Sequence, residues 1–416
     1  MSKAPLWVGL LWLGACGDSV DEPIEHDTHD HDDHDHDTTS DWMTTGEPVT
    51  TPEVPAGSTP WVWDLPEGFP PPVVPVDNPM TVEKVELGRH LFYDPQLSGN
   101  GTQSCADCHH QDKAFTDALA VSEGSTGEFG TRSSMALGNV AYHTTLTWAN
   151  PVLVRLEEQI LVPVFGEFPV ELGVAGSEDE VLQRFVDDPL YAPLFADAFP
   201  EVGDDERVTW DQVIDSLACF VRSMVSWNTP YDDLAYRGEL ALNPAEIRGM
   251  DLFFSERLEC HHCHGGPLFS GSFVTSNSAH IEQPFFNTGL YDIDGEGSYP
   301  PDNVGLYGFT GEAGDMGAFR PPSLRNVGLT APYMHDGSIE TLEEVVEAYA
   351  RGGRLVSDGP YAGDGRDNPY KSPFVAGFEI TEGEKADLVA FLRGALTDPV
   401  LLEDPQWSDP FAGPAP

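Results

Sequence analysis

Basic residues are scarce in this chain: 20 Lys and Arg stand against 70 Asp and Glu, a formal charge of −50. A field of that sign repels phosphate backbones and anionic membrane surfaces, so nucleic acid is not expected as a partner and cationic partners are favoured. Long apolar runs are also missing. The best candidate, Leu6–Leu13, is far shorter than the ~20 residues that a membrane-spanning helix requires. Strand-like alternation is rare, and none of the six cysteines calls for a disulfide framework. What is present is a globular composition, 40% apolar, with 36 prolines and 41 glycines that imply many loops. At 416 residues the chain is long enough for two domains, each with its own core.

The amino terminus, MSKAPLWVGLLWLGACGDS, sets Lys3 ahead of the short apolar run, followed by small residues and a cysteine. That is the layout of an export signal. Leu13-Gly14-Ala15-Cys16 has the form of a bacterial lipobox, which makes residues 1–16 a lipoprotein signal peptide and Cys16 the acylated first mature residue. An ordinary cleaved signal containing a cysteine is the alternative. The expectation is an exported, periplasm-facing lipoprotein of a Gram-negative-type envelope, meeting the membrane only through its lipid anchor. Residues 17–76 read as a disordered tether, with an acidic run HDTHDHDDHDHD followed by Thr/Pro-rich sequence. His26, His29, His31, His34 and His36 fall in that run, where they either bind divalent metals loosely or are only polar spacers.

Helix signals dominate from Asn78 onward. Glu83 to Tyr93 is amphipathic, Thr209 with Gln212 forms a capping box, and Asn243-Pro244 with Glu246 opens another helix. Thr341 with Glu344 and Thr381 with Glu384 open two more. Cys219, inside a helix-like run, reads as a buried free thiol. The fold class is therefore mainly α with long loops. The expected division is a first domain at 77–235, a second at 236–400 and a tail at 401–416.

Two motifs carry the chemistry: Cys105-Ala106-Asp107-Cys108-His109 and Cys260-His261-His262-Cys263-His264. C-x-x-C-H is the attachment signature of c-type haem. One helical turn sets two thiols where they can add across the two vinyl groups of a porphyrin, and the following imidazole points at the iron. A zinc site would need four ligands closed around one metal, and a thioredoxin-like site would need a βαβ context that is missing. The reading is two covalent haems, one per domain, with proximal ligands His109 and His264. His261 and His262 leave the second turn in other directions and remain extra imidazoles; His110 is a polar neighbour.

In this setting the chain resembles the bacterial di-haem cytochrome c peroxidases and their MauG-like relatives over about residues 78 to 395. The blocks that carry the resemblance are ELGRHLFYDPQLSGNGTQSCADCH, LEEQILVPVFGEFPVELG, ECHHCHGGPLFS, FFNTGLY and FRPPSLRNVGLTAPYMHDGSIETLEEVV. The CHGG ending of the second motif looks like the MbnH branch, whose members oxidise a tryptophan of a partner protein. The resemblance implies two cytochrome c-like domains and a peroxide-reactive, high-spin haem on His109. Over that iron it sets Glu171 as the distal acid, with Glu167 the alternative because this stretch is two residues longer than usual. It also gives Gln159 and Pro163 as pocket residues and Trp148 as a relay between the haems. At the second haem it implies Met316 as the sixth ligand, with Tyr307 the alternative. Met/His ligation raises the potential and suits an iron that stores and passes electrons.

Departures from the family pattern matter. No histidine occurs between Gln111 and Tyr142, so the removable distal histidine of many peroxidases is missing and the first iron is expected to be open at rest. Leu258 stands where MauG has a surface tryptophan, so a route to a protein substrate must leave elsewhere. Ser133 stands where the family has an asparagine ligand to a Ca²⁺ between the haems, which puts that ion in doubt. The functional expectation is a hydrogen-peroxide-dependent di-haem oxidoreductase. Its electrons come from a small cytochrome or cupredoxin, or from an aromatic side chain of a partner protein. The competing classes are a non-enzymatic di-haem electron carrier, in which Met135 ligates the first iron, and a metal-binding lipoprotein whose haems are secondary.

Overall fold

The computed structural model describes residues 52–203 and 208–412. The signal peptide, Cys16 and the histidine run at 26–37 lie outside them. The architecture is mainly helical, with two short antiparallel ladders, Phe286–Asn287 against Ala318–Phe319 and Leu355–Val356 against Gly363–Asp364.

The first half is built from α1 (Val82–Tyr93), α2 (Leu156–Phe165), α3 (Glu178–Asp187), α4 (Tyr191–Ala198) and α5 (Trp210–Ser223). Thr209 and Gln212 close the expected capping box at the start of α5. Leu87, Leu91 and Phe92 on α1 bury against Leu217 and Phe220 on α5. The helices cross at Gly88, where a Cβ would run into the Ser216 carbonyl. Below this crossing Glu157 bonds Arg222 at 2.7 Å and Asn78 at 2.8 Å, so its buried carboxylate is paired rather than orphaned.

The second half contains α6 (Pro230–Arg237), α7 (Pro244–Phe253), the one-turn α8 (Cys260–Cys263) and α9 (Tyr307–Thr310), α10 (Leu342–Arg351) and α11 (Glu382–Ala390). It repeats the plan of the first. Helices α7 and α11 cross at Gly249, where a Cβ would run into the Asp387 carbonyl. Phe92 packs on Phe220 with ring centroids 5.2 Å apart, and Phe253 packs on Phe391 at 5.6 Å. Asn139 and Asn326 share the same left-handed backbone, φ 61° and ψ 14°, and their amides donate to Met224 O and Leu396 O, both at 2.7 Å. Each half therefore closes a helix pair on a glycine and ends its core on a turn held by asparagine.

Two expectations change at the edges. The tether was expected to run to residue 76, yet Trp61 and Trp63 pack on the first core and Phe69 is buried, its ring 4.2 Å from that of Trp227. Apolar burial of three aromatics outweighs the Pro/Thr-rich composition around them. The segment after 401 is likewise no free tail. Leu401 and Trp407 are buried in the first core, and Trp407 Nε1 donates to Ser223 Oγ at 3.2 Å. Tyr231 on α6 packs its ring on Phe269, with centroids 4.8 Å apart.

Candidate active site

Each C-x-x-C-H turn opens on a large apolar cavity. The first is walled by Cys105, Cys108 and His109, by α2 and α5, and by the segments 122–137 and 169–172. The second is walled by α8 and His264, by residues 319–327 and 333–335, and by α10 and α11. Counted with the solvent at their mouths, they hold about 1660 and 1380 Å³ of empty space.

The two histidines are prepared as metal ligands. His109 Nδ1 donates to the Phe115 carbonyl at 2.7 Å, and His264 Nδ1 to the Phe269 carbonyl at 3.1 Å. A carbonyl can only accept, so Nδ1 carries the proton and Nε2 keeps its lone pair. Burial pushes both imidazoles below their ordinary range, which holds them neutral. Phe115 and Phe269 reach these positions through left-handed backbone, φ 61° and 52°. Burial pushes the Cys105 and Cys260 thiols up to about 12 and those of Cys108 and Cys263 up to about 11. A redox or nucleophilic cysteine needs the opposite shift. Neither pair belongs to a cluster of three or more metal donors among the described residues, so a zinc site is not formed there.

Several buried polar atoms in these walls have no protein partner. They are Gln159 Oε1 in the first cavity, His335 Nε2 in the second, and Arg320 Nη1, which lies between them. Arg320 is only 2% exposed and lines both cavities, and burial pushes its guanidinium down to about 9. A buried cation without a counter-charge is costly unless an anionic group sits beside it. Two porphyrins with propionates suit the apolar walls, the paired thiols with a histidine, and that guanidinium. The donor set fits haem at both turns.

The sequence candidates separate clearly. Glu171, Gln159 and Pro163 all line the first cavity with His109, whereas Glu167 lies outside its walls on an exposed turn. Glu171 is itself exposed but lines the cavity, and desolvation there pushes its carboxyl up from the usual range. Its main chain is clamped: Ser125 N donates to Glu171 O at 2.7 Å and Gly99 N to Leu172 O at 2.8 Å. At Gly124 a Cβ would run into the Val170 carbonyl, so the clamp depends on a residue without a side chain. Gly124→Ala is expected to shift Glu171 and lower the peroxide reaction about 10²-fold, the cost of a misplacement near 1 Å, with the far-UV circular dichroism unchanged. Stopped-flow spectroscopy would check it.

Trp148 lines both cavities. Met135 lines the first, but its sulfur accepts from Arg320 Nη2 at 3.6 Å. Neither Met316 nor Tyr307 lines the second cavity. Met316 packs instead with the cluster of Tyr299 and Phe319, its carbonyl held by Asn287 Nδ2 at 2.7 Å. Three further residues of the walls were not among the sequence candidates: Arg320, Tyr349 and His335, the last in a loop read as supplying no ligand. His335 stacks on Phe319 with ring centroids 3.6 Å apart, and burial pushes its imidazole down to about 4. Burial, with Cys263 and Cys260 nearby, pushes the Tyr349 phenol up.

Comparison with known proteins agrees with this geometry. The family model for di-haem cytochrome c peroxidase matches residues 82–240. Cytochrome-c peroxidase IdrP1 of Denitromonas iodatirespirans is 34% identical over 368 residues, spanning 81% of this chain and 88% of its own. Methylamine utilization protein MauG of Methylorubrum extorquens is 33% identical over 348 residues, spanning 82% and 85%. Among solved structures, a MauG-like protein associated with microbial copper homeostasis is 51% identical, with a TM-score of 0.82 over 85% of this chain and 100% of that one. The di-haem peroxidase BthA of Burkholderia thailandensis, at 22% identity and a TM-score of 0.60, shares the fold.

Proposed function

The chain belongs to the family of di-haem cytochrome c peroxidases and MauG, and on that premise we propose that it oxidises an aromatic side chain of a partner protein. It is a hydrogen-peroxide-dependent di-haem oxidoreductase. In this reading both haems are covalent, one in each repeated half, and each half is a cytochrome c-like domain. The signal and Cys16 anchor the enzyme as an exported lipoprotein.

One observation carries the choice of a MauG-like reaction: among the residues lining the first cavity, His109 is the sole imidazole. With no second histidine to displace, peroxide has access without prior reduction of the protein. A haem on His109 would supply peroxide binding and two-electron reduction of the O–O bond. Glu171 takes the proton from the bound peroxide and returns it to the leaving oxygen, so that water departs. The unpartnered Oε1 of Gln159 is available to accept a hydrogen bond from the substrate, and Pro163 narrows the pocket. Trp148, common to both cavities, would relay oxidising equivalents between them, and Arg320, which lines both, would offer its unpartnered Nη1 to an anionic group held there. Met316, which shares a cluster with the cavity residues Trp148 and Phe319, would have to turn into the second cavity to act as the sixth ligand there, since neither it nor Tyr307 lines the walls.

The test is the resting ferric protein. Its EPR spectrum should contain one high-spin haem, and stoichiometric peroxide should change the optical spectrum without reductive activation. Two wholly low-spin haems with no response to peroxide would overturn the reading. Fast steady-state turnover with reduced cytochrome c would instead favour a peroxidase fed by a small redox protein, for which the charge of −50 suits a cationic carrier. Trp148→Phe should leave the first reaction intact while slowing the response of the second haem roughly tenfold or more, at least ~1.4 kcal/mol of barrier.

A further inference from the structure

The second haem motif contains two imidazoles that neither its covalent attachment nor its proximal ligation uses. His261 and His262 lie on α8, between the cysteines, and both turn their Nε2 atoms toward one carboxylate. His261 Nε2 is 3.5 Å from Glu256 Oε1, and His262 Nε2 is 3.2 Å from Glu256 Oε2. A second carboxylate, Glu259, brings its Oε2 to 2.8 Å from His262 Nε2. One donor atom each from Glu256, His261 and His262 falls within 4.8 Å of the others, and no other such group of three His, Cys, Asp or Glu donors occurs among the described residues.

The rings are held in place. His262 stacks on Phe374 with centroids 4.6 Å apart and planes 12° from parallel, and His261 leans on His262 at 4.3 Å. His261 Nδ1 is buried without a partner, so Nε2 is the nitrogen it can offer outward. Glu259 is fixed by the left-handed backbone that starts the turn, φ 60°. An ordinary surface ion pair needs one imidazole and one carboxylate, not two of each converging.

We propose that Glu256, His261 and His262, completed by Glu259, form a binding site for a divalent first-row transition ion, of the zinc or copper(II) class, on the outer side of the second haem turn. Two imidazoles with one or two carboxylates are a donor set for Zn²⁺ or Cu²⁺ rather than for Mg²⁺ or Ca²⁺, which prefer oxygen alone. The site lies on the same turn as Cys260, Cys263 and His264, so an ion there adds positive charge beside the second haem.

Footprinting full-length holoprotein with diethyl pyrocarbonate, mapped by mass spectrometry with and without micromolar Zn²⁺, tests this. Zn²⁺ should protect His261 and His262, while exposed His280 stays reactive in both conditions. Site-resolved labelling also separates this cluster from the histidines at 26–37. In E256Q the Zn²⁺ concentration giving half-protection should rise by at least the roughly 10–100-fold that the loss of an outer-shell partner costs. Glu256 is exposed, so this variant keeps its fold. Equal labelling of His261 and His262 with and without Zn²⁺ would overturn the site, as would protection that E256Q leaves unchanged.

Discussion

Glu171→Gln is expected to slow the reaction of the ferric protein with hydrogen peroxide by about 10²–10⁴-fold, the range for removing a positioned acid–base group. Glutamine keeps the shape of the side chain and the clamp on its main chain, but it can neither take the peroxide proton nor return it. Glu167→Gln should leave the rate nearly unchanged, since Glu167 stands outside the cavity walls. A stopped-flow comparison of the two variants decides between the glutamates. Unchanged reactivity in Glu171→Gln would remove the distal role from this residue.

The same carboxyl sets an acid limb. Desolvation raises its pKa above the ordinary 4.5 of a glutamate, so the protonated form persists to higher pH. Only the carboxylate can accept the first proton. The rate should therefore be full well above the raised pKa and fall as the pH drops through it, with a midpoint above 4.5. In Glu171→Gln that limb disappears while any limb from another group stays.

The haem turns and the helix starts were legible in the sequence because their signals are local. The capping boxes at Thr209, Asn243, Thr341 and Thr381 all form, since each needs only residues three apart. Glu171 was legible only through family resemblance: a carboxylate on an irregular loop looks like any solvated glutamate until Gly99 and Gly124 bring that loop against the cavity. Arg320 and His335 lie within the FRPPSLRNVGLTAPYMHDG block, but their places in the cavity walls come from burial between distant segments, which the sequence does not show. The internal repeat was present as Gly88 and Gly249, Phe92 and Phe253, Phe115 and Phe269, but the spacing differs between the halves and hides it from a fixed-period reading. Composition misled at the amino-terminal edge, where prolines and threonines concealed the anchoring role of Trp61, Trp63 and Phe69.

Asp232→Ala is expected to cost about 3–5 kcal/mol of stability, the penalty for leaving one member of a buried ion pair alone. Asp232 and Arg325 have side-chain exposures of 0% and 1%, and they meet through two bonds, Nη1 to Oδ2 at 2.8 Å and Nη2 to Oδ1 at 2.7 Å. Asp232 Oδ2 also accepts from Thr229 N and Oγ1, so the carboxylate caps α6 as well. Arg325 donates from Nε to Pro267 O at 2.8 Å and from Nη1 to Ser226 O at 3.1 Å, and lies 4.3 Å over the Trp227 ring. Without Asp232 that guanidinium loses its bidentate partner and keeps only neutral acceptors and the more distant carboxylate of Asp398, in a place that water does not reach. The damage should extend to the site, because Arg325 belongs to the strip whose Pro321, Pro322, Leu324 and Val327 wall the second cavity. Denaturant titration of the holoprotein should show the lowered midpoint by circular dichroism, and the absorption of the second haem should change before the global transition. Replacing both partners by apolar residues, Asp232→Leu with Arg325→Met, should recover much of the loss, because no buried charge is then left uncompensated. A midpoint for Asp232→Ala within the ±0.5 kcal/mol typical of surface changes would mean that water reaches the pair and that it does not hold this wall.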